Sequence, residues 1–300
     1  MKKKSLDEIN GSVNVPTVYE SAFWQKFLAY SGPGALVAVG YMDPGNWLTS
    51  LAGGGQYGYT LLSVLFVSII VAMIMQSLSI RLGVVTRTDL AQAIAQRVPK
   101  PVRIGLWLLN ELAMMATDLT GVVGTSIALY LLFHLPLIVG VFLTVADVLV
   151  VLVFLRFGIR RVEFIVLTTI LVVGAIFTIE VCRAHPSWLA ILNGIIPQSK
   201  IITNHSELLL SLGIIGATIM PHNIYLHSAL AQSRRYDEHD PAQVTETLKF
   251  ANWDSIIHLI AALIVNALLL ILGGTLFFHT ASLNSLADVF YGLKNCWYVI

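Results

Sequence analysis

A helix-breaking tetrapeptide lies in the middle of a long apolar stretch of the chain. Residues Asp43–Asn46 (Asp-Pro-Gly-Asn) interrupt an otherwise hydrophobic run from about Phe27 to Leu62. The proline removes a backbone donor and the glycine tolerates almost any backbone angle, so a helix is expected to unwind here. A carboxylate and an unwound backbone are costly in a bilayer unless they are buried in protein or line a watery cavity. The tetrapeptide therefore predicts a functional site.

The composition indicates a membrane protein. Hydrophobic residues make up 56% of the chain and charged residues only 12%, which is not typical of a soluble domain. A helix needs about 20 residues to cross a bilayer, so the chain has room for about seven or eight spans. The net charge of +1 gives no indication of a nucleic-acid partner. We predict an all-α polytopic membrane protein.

The break is repeated in the second half of the chain. Met220–Asn223 (Met-Pro-His-Asn) interrupts the apolar run from Leu208 to Leu230. Two interrupted hydrophobic segments in corresponding halves indicate a transporter's substrate site near the bilayer midplane. Taken singly, Met-Pro is typical of a kinked helix with a packing methionine, and Asp-Pro-Gly is typical of a turn. Their recurrence favours a shared site.

Seven segments are predicted to span the membrane, and the first and sixth contain the breaks. They cover about 28–56, 60–81, 104–133, 136–155, 162–182, 207–232 and 254–278. With the N-terminus in the cytosol, all but three of the 18 Lys and Arg residues (Arg183, Lys200 and Lys294) lie on the inner side, as the positive-inside bias requires. The segments 86–103, with a helix-like patch at 89–98, and 233–249 are expected to be polar connections. A metal site that includes His239 is an alternative for the second.

The two breaks carry side chains that suit a metal ion. Asp43 offers a hard anionic oxygen, Asn46 a neutral amide oxygen and Met220 a thioether, beside backbone groups that have lost their helical partners. Oxygen ligands alone suit Mg²⁺ or Ca²⁺, whereas a thioether favours a transition metal such as Mn²⁺ or Fe²⁺. The predicted ligand is a divalent transition-metal ion.

Two acids in the third span indicate a proton route. Glu111 and Asp118 are two helical turns apart and share one helix face. The alternative is a buried acid paired with an arginine or a backbone group.

Other polar residues lie within the spans. His222 and His227 are five positions apart, which does not suit a two-histidine metal clamp, and a proton-relay or gating role fits a group that titrates near neutral pH. Gln76 is either a hydrogen-bonding residue of the substrate cavity or a contact between helices.

The break motifs resemble those of the Nramp family of proton-coupled divalent-metal transporters, of the bacterial manganese-uptake type. The resemblance rests on Asp43–Asn46, on Met220–Asn223 with the following Tyr225–Ser228, and on Glu111–Leu119. It covers roughly residues 25–294. It implies a leucine-transporter-type fold of two inverted five-helix repeats that works by alternating access.

The resemblance also implies the metal ligands. In the family the metal is bound by the aspartate and asparagine of the first break, by the methionine of the second, and by a backbone carbonyl three residues before that methionine. These positions are Asp43, Asn46, Met220 and Ala217 here.

The family's proton route implies Asp43, His222 and Asp118 in this chain. Gly121 stands where many relatives have a glutamate. Proton exit is therefore expected to be weakened, or rerouted through Glu111.

The family fold divides the chain into four parts. Residues 1–26 are expected to form a cytosolic tail, 27–182 a first five-helix repeat, 183–206 an extracytoplasmic loop, and 207–300 the start of a second repeat. The fold is expected to be incomplete, with about seven transmembrane helices, because the family has ten core helices and 295–300 resemble the opening of an eighth.

We therefore expect a proton-coupled importer of Mn²⁺, or of Fe²⁺, in the cytoplasmic membrane. Its partners are the metal ion, H⁺ and the lipid bilayer, and the metal is a transported substrate with no cofactor. The alternatives are an organic-solute symporter of the same fold, against which the carboxylate of Asp43 argues, and a non-functional transporter remnant. The sequence contains no HExxH motif, so an enzyme is not expected.

Overall fold

The computed structural model describes residues 9–16, 22–155, 158–278 and 287–292. The helices are α1 (Phe23–Tyr30), α2 (Pro33–Val39), α3 (Pro44–Tyr57), α4 (Leu62–Thr86), α5 (Leu90–Arg97), α6 (Lys100–Phe133), α7 (Leu137–Leu155), α8 (Ile159–Ala184), α9 (Trp188–Gly194), α10 (Lys200–Thr203), α11 (His205–Thr218), α12 (Pro221–Leu230) and α13 (Pro241–Leu276). Two short strands, β1 (Val13–Asn14) and β2 (Arg234–Arg235), pair in parallel.

Five segments of the described chain are long and apolar enough to cross a membrane. They are α4, α6, α8, α13 and the pair α11–α12, and Pro33–Met42 and Leu137–Val150 are shorter apolar helices. The prediction of an all-α polytopic membrane protein, interrupted in its first and sixth spans, is confirmed. The expected opening of an eighth helix at 295–300 lies outside the described residues.

The predicted polar connection at 233–249 is wrong over most of its length. Helix α13 begins at Pro241, well before the predicted start at residue 254. Asp240 caps it by accepting a hydrogen bond from the Ala242 N–H at 2.9 Å, and proline suits the first helical turn. A membrane helix therefore extends beyond its apolar part. The helix-like patch at 89–98 is confirmed as α5, with a capping box between Asp89 and Gln92.

The N-terminal region is paired with the connection that follows α12. Val13 pairs with Arg234 and Asn14 with Arg235. Arg234, expected in a solvated connection, is only 2% exposed, because a buried acid described below pairs with it.

Helices α3 and α13 pack closely at the centre of the fold. A Cβ placed at Gly54 of α3 would overlap the backbone oxygen of Leu270, and a Cβ at Gly273 of α13 would overlap that of Leu51. The two glycines thus allow the backbones to touch, as small residues do between membrane helices. In contrast, only 11% of the most apolar part of α6 is buried, against 56% for α13.

Candidate metal-binding site

The first break is formed by Asp43, which precedes α3. Its backbone is extended (φ −74°, ψ 160°), as expected for a residue before proline. Its Oδ1 accepts a hydrogen bond from the backbone N–H of Asn46 at 2.8 Å, and Pro44 occupies the first turn, where its missing N–H has no cost. The Asp-Pro pair therefore ends one half-helix and starts the next.

The second break repeats this geometry at Met220. Its backbone is also extended (φ −82°, ψ 119°), and Pro221 begins α12. The Met220 side chain is 5% exposed and belongs to the same hydrophobic cluster as Tyr41, which lies next to the first break.

The two breaks meet inside the protein. The Asn46 side-chain amide donates a hydrogen bond from Nδ2 to the backbone oxygen of Ala217, at 3.1 Å. Asn46 is 5% exposed, whereas Asp43 and Ala217 are half-buried. The four residues predicted as metal ligands, Asp43, Asn46, Ala217 and Met220, therefore lie along one junction.

This junction offers one carboxylate, two neutral oxygens and one thioether. Such a set suits a borderline divalent ion better than a hard one. No group of three or more His, Cys, Asp and Glu residues that could hold a metal occurs in the described chain. His239 of the alternative site is strongly exposed, with 89% of its side chain accessible.

His222 lies two residues after Met220, at the start of α12. Both Asp118 of α6 and Asp43 are near enough to interact with its charge. Its Nδ1 is buried and has no hydrogen-bond partner within the described ranges. The three residues of the predicted proton route therefore lie near each other.

Glu111 is not brought to the junction by any hydrogen bond or ion pair between described residues. It lies two turns before Asp118 on α6 and is half-buried, while Asp118 is exposed. A Cβ at Gly121 would have no atom within 4 Å, so this position leaves open space.

Gln76 and His227 form a buried link to the first break. His227 Nδ1 lies 2.9 Å from Gln76 Oε1, and Gln76 Nε2 donates to the Tyr41 hydroxyl at 3.3 Å. Both Gln76 and His227 are 1% exposed. Gln76 therefore makes a contact between helices, and its other interpretation, a hydrogen-bonding residue of the substrate cavity, stays a prediction.

A buried carboxylate that no sequence motif indicated holds the first half-helix. Asp254 of α13 accepts hydrogen bonds from the backbone N–H groups of Gly32, at 3.1 Å, and Gly34, at 2.7 Å. It also lies 2.9 Å from His258 Nδ1. The N-terminus of α2 is thus bound to α13 by a negative group that suits its dipole.

A second missed cluster surrounds Glu163 of α8. Its carboxylate pairs with Arg234 at 2.8 Å and with Arg160 at 3.0 Å. Both arginines also donate to the backbone oxygen of Ser31, where α1 ends. The only sequence signal was an acid near the start of an apolar helix, because its partner Arg234 lies 71 positions away.

Asn266 of α13 was also missed. Its Nδ2 donates to the backbone oxygen of Tyr41 at 2.8 Å, a carbonyl that the first break deprives of its helical partner. The break is therefore stabilised from α13 as well as by its own residues.

Two discontinuous helices that meet at a polar junction, inside a bundle of membrane helices, define a polytopic membrane protein of the leucine-transporter type. Within this class the chain belongs to the Nramp (natural resistance-associated macrophage protein-like) family, whose model matches residues 34–297.

Similar proteins agree with this assignment. The chain is 50% identical to the divalent metal cation transporter MntH of Pediococcus pentosaceus over 97% of its own length and 65% of the relative's. It is 50% identical to MntH of Staphylococcus aureus over 97% of its length and 64% of that protein. The chain thus spans slightly less than two thirds of the length of these relatives. Their names agree with the expectation that it is not an enzyme.

A solved structure shares the fold. The crystal structure of the Eremococcus coleocola manganese transporter, in complex with an aromatic bis-isothiourea substituted compound, matches with a TM-score of 0.86 and 45% identity. The match covers 98% of this chain and 60% of that one. The expected leucine-transporter-type fold is therefore confirmed.

Proposed function

We propose that the protein imports a divalent transition-metal ion, Mn²⁺ or Fe²⁺, across the cytoplasmic membrane together with protons and by alternating access. Its N-terminus lies in the cytosol. The names of its relatives support this substrate class, and the charge distribution of the sequence supports the orientation.

The contact between Asn46 and Ala217 carries the proposal. It joins the two half-helix breaks at 3.1 Å and gathers both break motifs, which are far apart in the chain, at one point. Asp43, Asn46, the Ala217 carbonyl and Met220 are the proposed ligands. To coordinate a cation with its Oδ1, Asn46 has to turn its amide, which releases the Ala217 oxygen for the same cation.

The proposed proton route starts at the same place. A divalent cation at Asp43 repels a proton on His222, and Asp118 is the next carboxylate that interacts with His222. Because Gly121 offers no acid, Glu111, on the same face of α6 as Asp118, is proposed as the next residue of the proton route. His227, tied to Gln76, is proposed to relay protons or to act at the gate.

Metal binding by the purified chain tests the site, and uptake into proteoliposomes tests transport. In isothermal titration, Mn²⁺ and Cd²⁺ are expected to bind, and Ca²⁺ and Mg²⁺ to bind weakly or not at all. Asp43→Ala is expected to abolish Mn²⁺ binding because it removes the only charged ligand. Asp237→Ala, which removes an exposed acid outside the junction, is the matched control.

The two measurements separate the site from the transport cycle. Mn²⁺ binding with uptake supports the whole proposal. Binding without uptake supports the metal-binding junction and contradicts the proposal that this chain transports the metal. Unchanged Mn²⁺ affinity in Asp43→Ala contradicts the assignment of the site.

A further inference from the structure

An open cavity of about 670 Å³ lies between α1 and the first turns of α13. It is lined by Phe23 and Lys26 of α1 and by Thr245, Glu246, Lys249 and Phe250 of α13. None of these residues belongs to the metal-binding junction. The cavity therefore needs a separate explanation.

Glu246 has one carboxylate oxygen that lacks a donor. Its Oε1 pairs with Lys26 Nζ at 2.6 Å. Its Oε2 is buried and has no hydrogen-bond partner in the described part of the chain. A buried acceptor without a donor costs free energy, and Glu246 lines the cavity. A turn of its carboxyl group toward a ligand in the cavity that supplies an N–H or O–H group is therefore favourable.

Lys249 provides a positive charge one helical turn from Glu246. It is exposed, and no hydrogen bond or ion pair ties it to another described residue. Side chains three residues apart on a helix are neighbours, with about 5–6 Å between their Cβ atoms. The cavity therefore presents an anionic oxygen and a cation at a short separation.

Lys249 also ends an exposed apolar stripe on α13. Trp253 (49% exposed), Ile257, Ile260 and Ile264 follow it at intervals of three or four residues, so they lie on one helix face. Tryptophan is enriched where a membrane helix reaches the head-group region. Lys249 and Glu246 lie beyond it, toward the end of α13 that leaves the bilayer.

In helix α1 the arrangement of buried and exposed residues is the reverse of that in a water-exposed helix. Lys26 and Tyr30 are its buried residues, whereas Phe23, Trp24 and Leu28 are 50%, 70% and 63% exposed. These exposed side chains match the interfacial part of a bilayer, where aromatic residues collect. The cavity between α1 and α13 therefore opens toward lipid head groups.

We propose that this cavity binds the head group of a phosphatidylethanolamine-type phospholipid. The ammonium donates to Glu246 Oε2 and the phosphate pairs with Lys249. A two-carbon link separates the ammonium and phosphate of this head group, which matches two side chains one turn apart. The acyl chains lie along the Trp253–Ile264 stripe. The bound lipid joins α1 to α13.

Native mass spectrometry of the purified chain tests this with three lipids of identical acyl chains. Phosphatidylethanolamine is expected to bind about fivefold more tightly than phosphatidylcholine, whose trimethylammonium has no N–H donor; this factor is typical of one partly exposed charged contact. Phosphatidylglycerol, whose head group offers only uncharged O–H donors to the carboxylate, is expected to bind more weakly than phosphatidylethanolamine.

Three variants assign the contacts, and a fourth is the control. Glu246→Gln is expected to remove the preference for ethanolamine over choline. Lys249→Gln is expected to weaken the binding of all three lipids by about fivefold. The control Lys100→Gln, which changes an exposed lysine at the start of α6, is expected to leave the three affinities unchanged. Lys26→Gln breaks the Lys26–Glu246 pair but keeps the carboxylate, so it is expected to retain the ethanolamine preference.

Three results overturn the proposal. Equal affinities for the ethanolamine and choline lipids contradict the proposed contact between the ammonium and Glu246. An ethanolamine preference that survives Glu246→Gln places the lipid elsewhere. If phosphatidylglycerol binds as tightly as phosphatidylethanolamine, and Glu246→Gln changes neither affinity, the cavity recognises only the phosphate. If Glu246→Gln does not fold, Lys249→Gln still decides the proposal, because Lys249 is exposed and leaves the Lys26–Glu246 pair intact.

Discussion

Replacing Arg234 by methionine is expected to destabilise the protein strongly. Arg234 contacts both oxygens of Glu163, at 2.8 and 3.3 Å, and the two side chains are 3% and 4% exposed. Removing one partner of a buried ion pair costs about 3–5 kcal/mol, because the other charge stays buried. Arg160, which is 46% exposed, still pairs with Glu163, so a loss of about 3 kcal/mol is expected for Arg234→Met.

A double-mutant cycle separates the pair from its surroundings. Glu163→Leu removes the acid, and the double variant Glu163→Leu/Arg234→Met leaves neither charge of the pair. We expect the double variant to lose less than the sum of the single losses, with a coupling of about 2 kcal/mol, since contacting residues are not additive. The free energy of unfolding is measured by denaturation with SDS in mixed micelles.

The matched control is an ion pair whose acid is exposed. Arg87 and Glu238 lie 3.6 Å apart, and Glu238 is 52% exposed. Glu238→Gln is therefore expected to cost less than about 1 kcal/mol. A loss of similar size for Arg234→Met, or strict additivity in the cycle, would refute the buried-pair explanation.

Three further predictions concern selectivity, packing and pH. Met220→Ala is expected to lose discrimination against Ca²⁺ and Mg²⁺ more than Mn²⁺ affinity, measured by competition titration; unchanged selectivity means that Met220 only packs. Gly54→Ala is expected to cost about 1–3 kcal/mol, because its methyl group overlaps the Leu270 oxygen. Gly174→Ala, whose Cβ lies 3.6 Å from Val265, serves as its control in SDS denaturation, and equal losses contradict the explanation. Burial raises the pKa of Tyr236 from 10.0 to about 12, so the folded state keeps a proton that the unfolded state loses. The contribution of Tyr236 to the free energy of unfolding is therefore complete below pH 10 and disappears toward pH 12. Tyr236→Phe is expected to make the free energy of unfolding depend less on pH in this range, and identical pH profiles for the two proteins contradict this explanation.

Local chemistry made the two breaks predictable. An Asp-Pro or Met-Pro pair forces an extended residue followed by a new helix, and Asp43 and Met220 have this backbone. The long apolar runs likewise located the membrane helices. The start of α13 at Pro241 was missed because hydropathy locates the apolar part of a helix and not its ends.

Contacts between distant residues were not predictable from single residues. Asp254 binds the N–H groups of Gly32 and Gly34, more than 200 positions away. Its acidic side chain alone indicates a buried polar site but does not identify the partner. Arg234 is similar, since its charge favoured a solvated connection until the fold brought it to Glu163.

The paired glycines of α3 and α13 also limit how the molecule can move. Because Gly54 meets the backbone of Leu270 and Gly273 meets that of Leu51, the two helix backbones touch and leave no room for a side chain between them. The two helices are therefore expected to move together as one rigid unit. Asp254 also binds the start of α2 to α13, so α13 holds both halves of the first span, on either side of the extended residue Asp43.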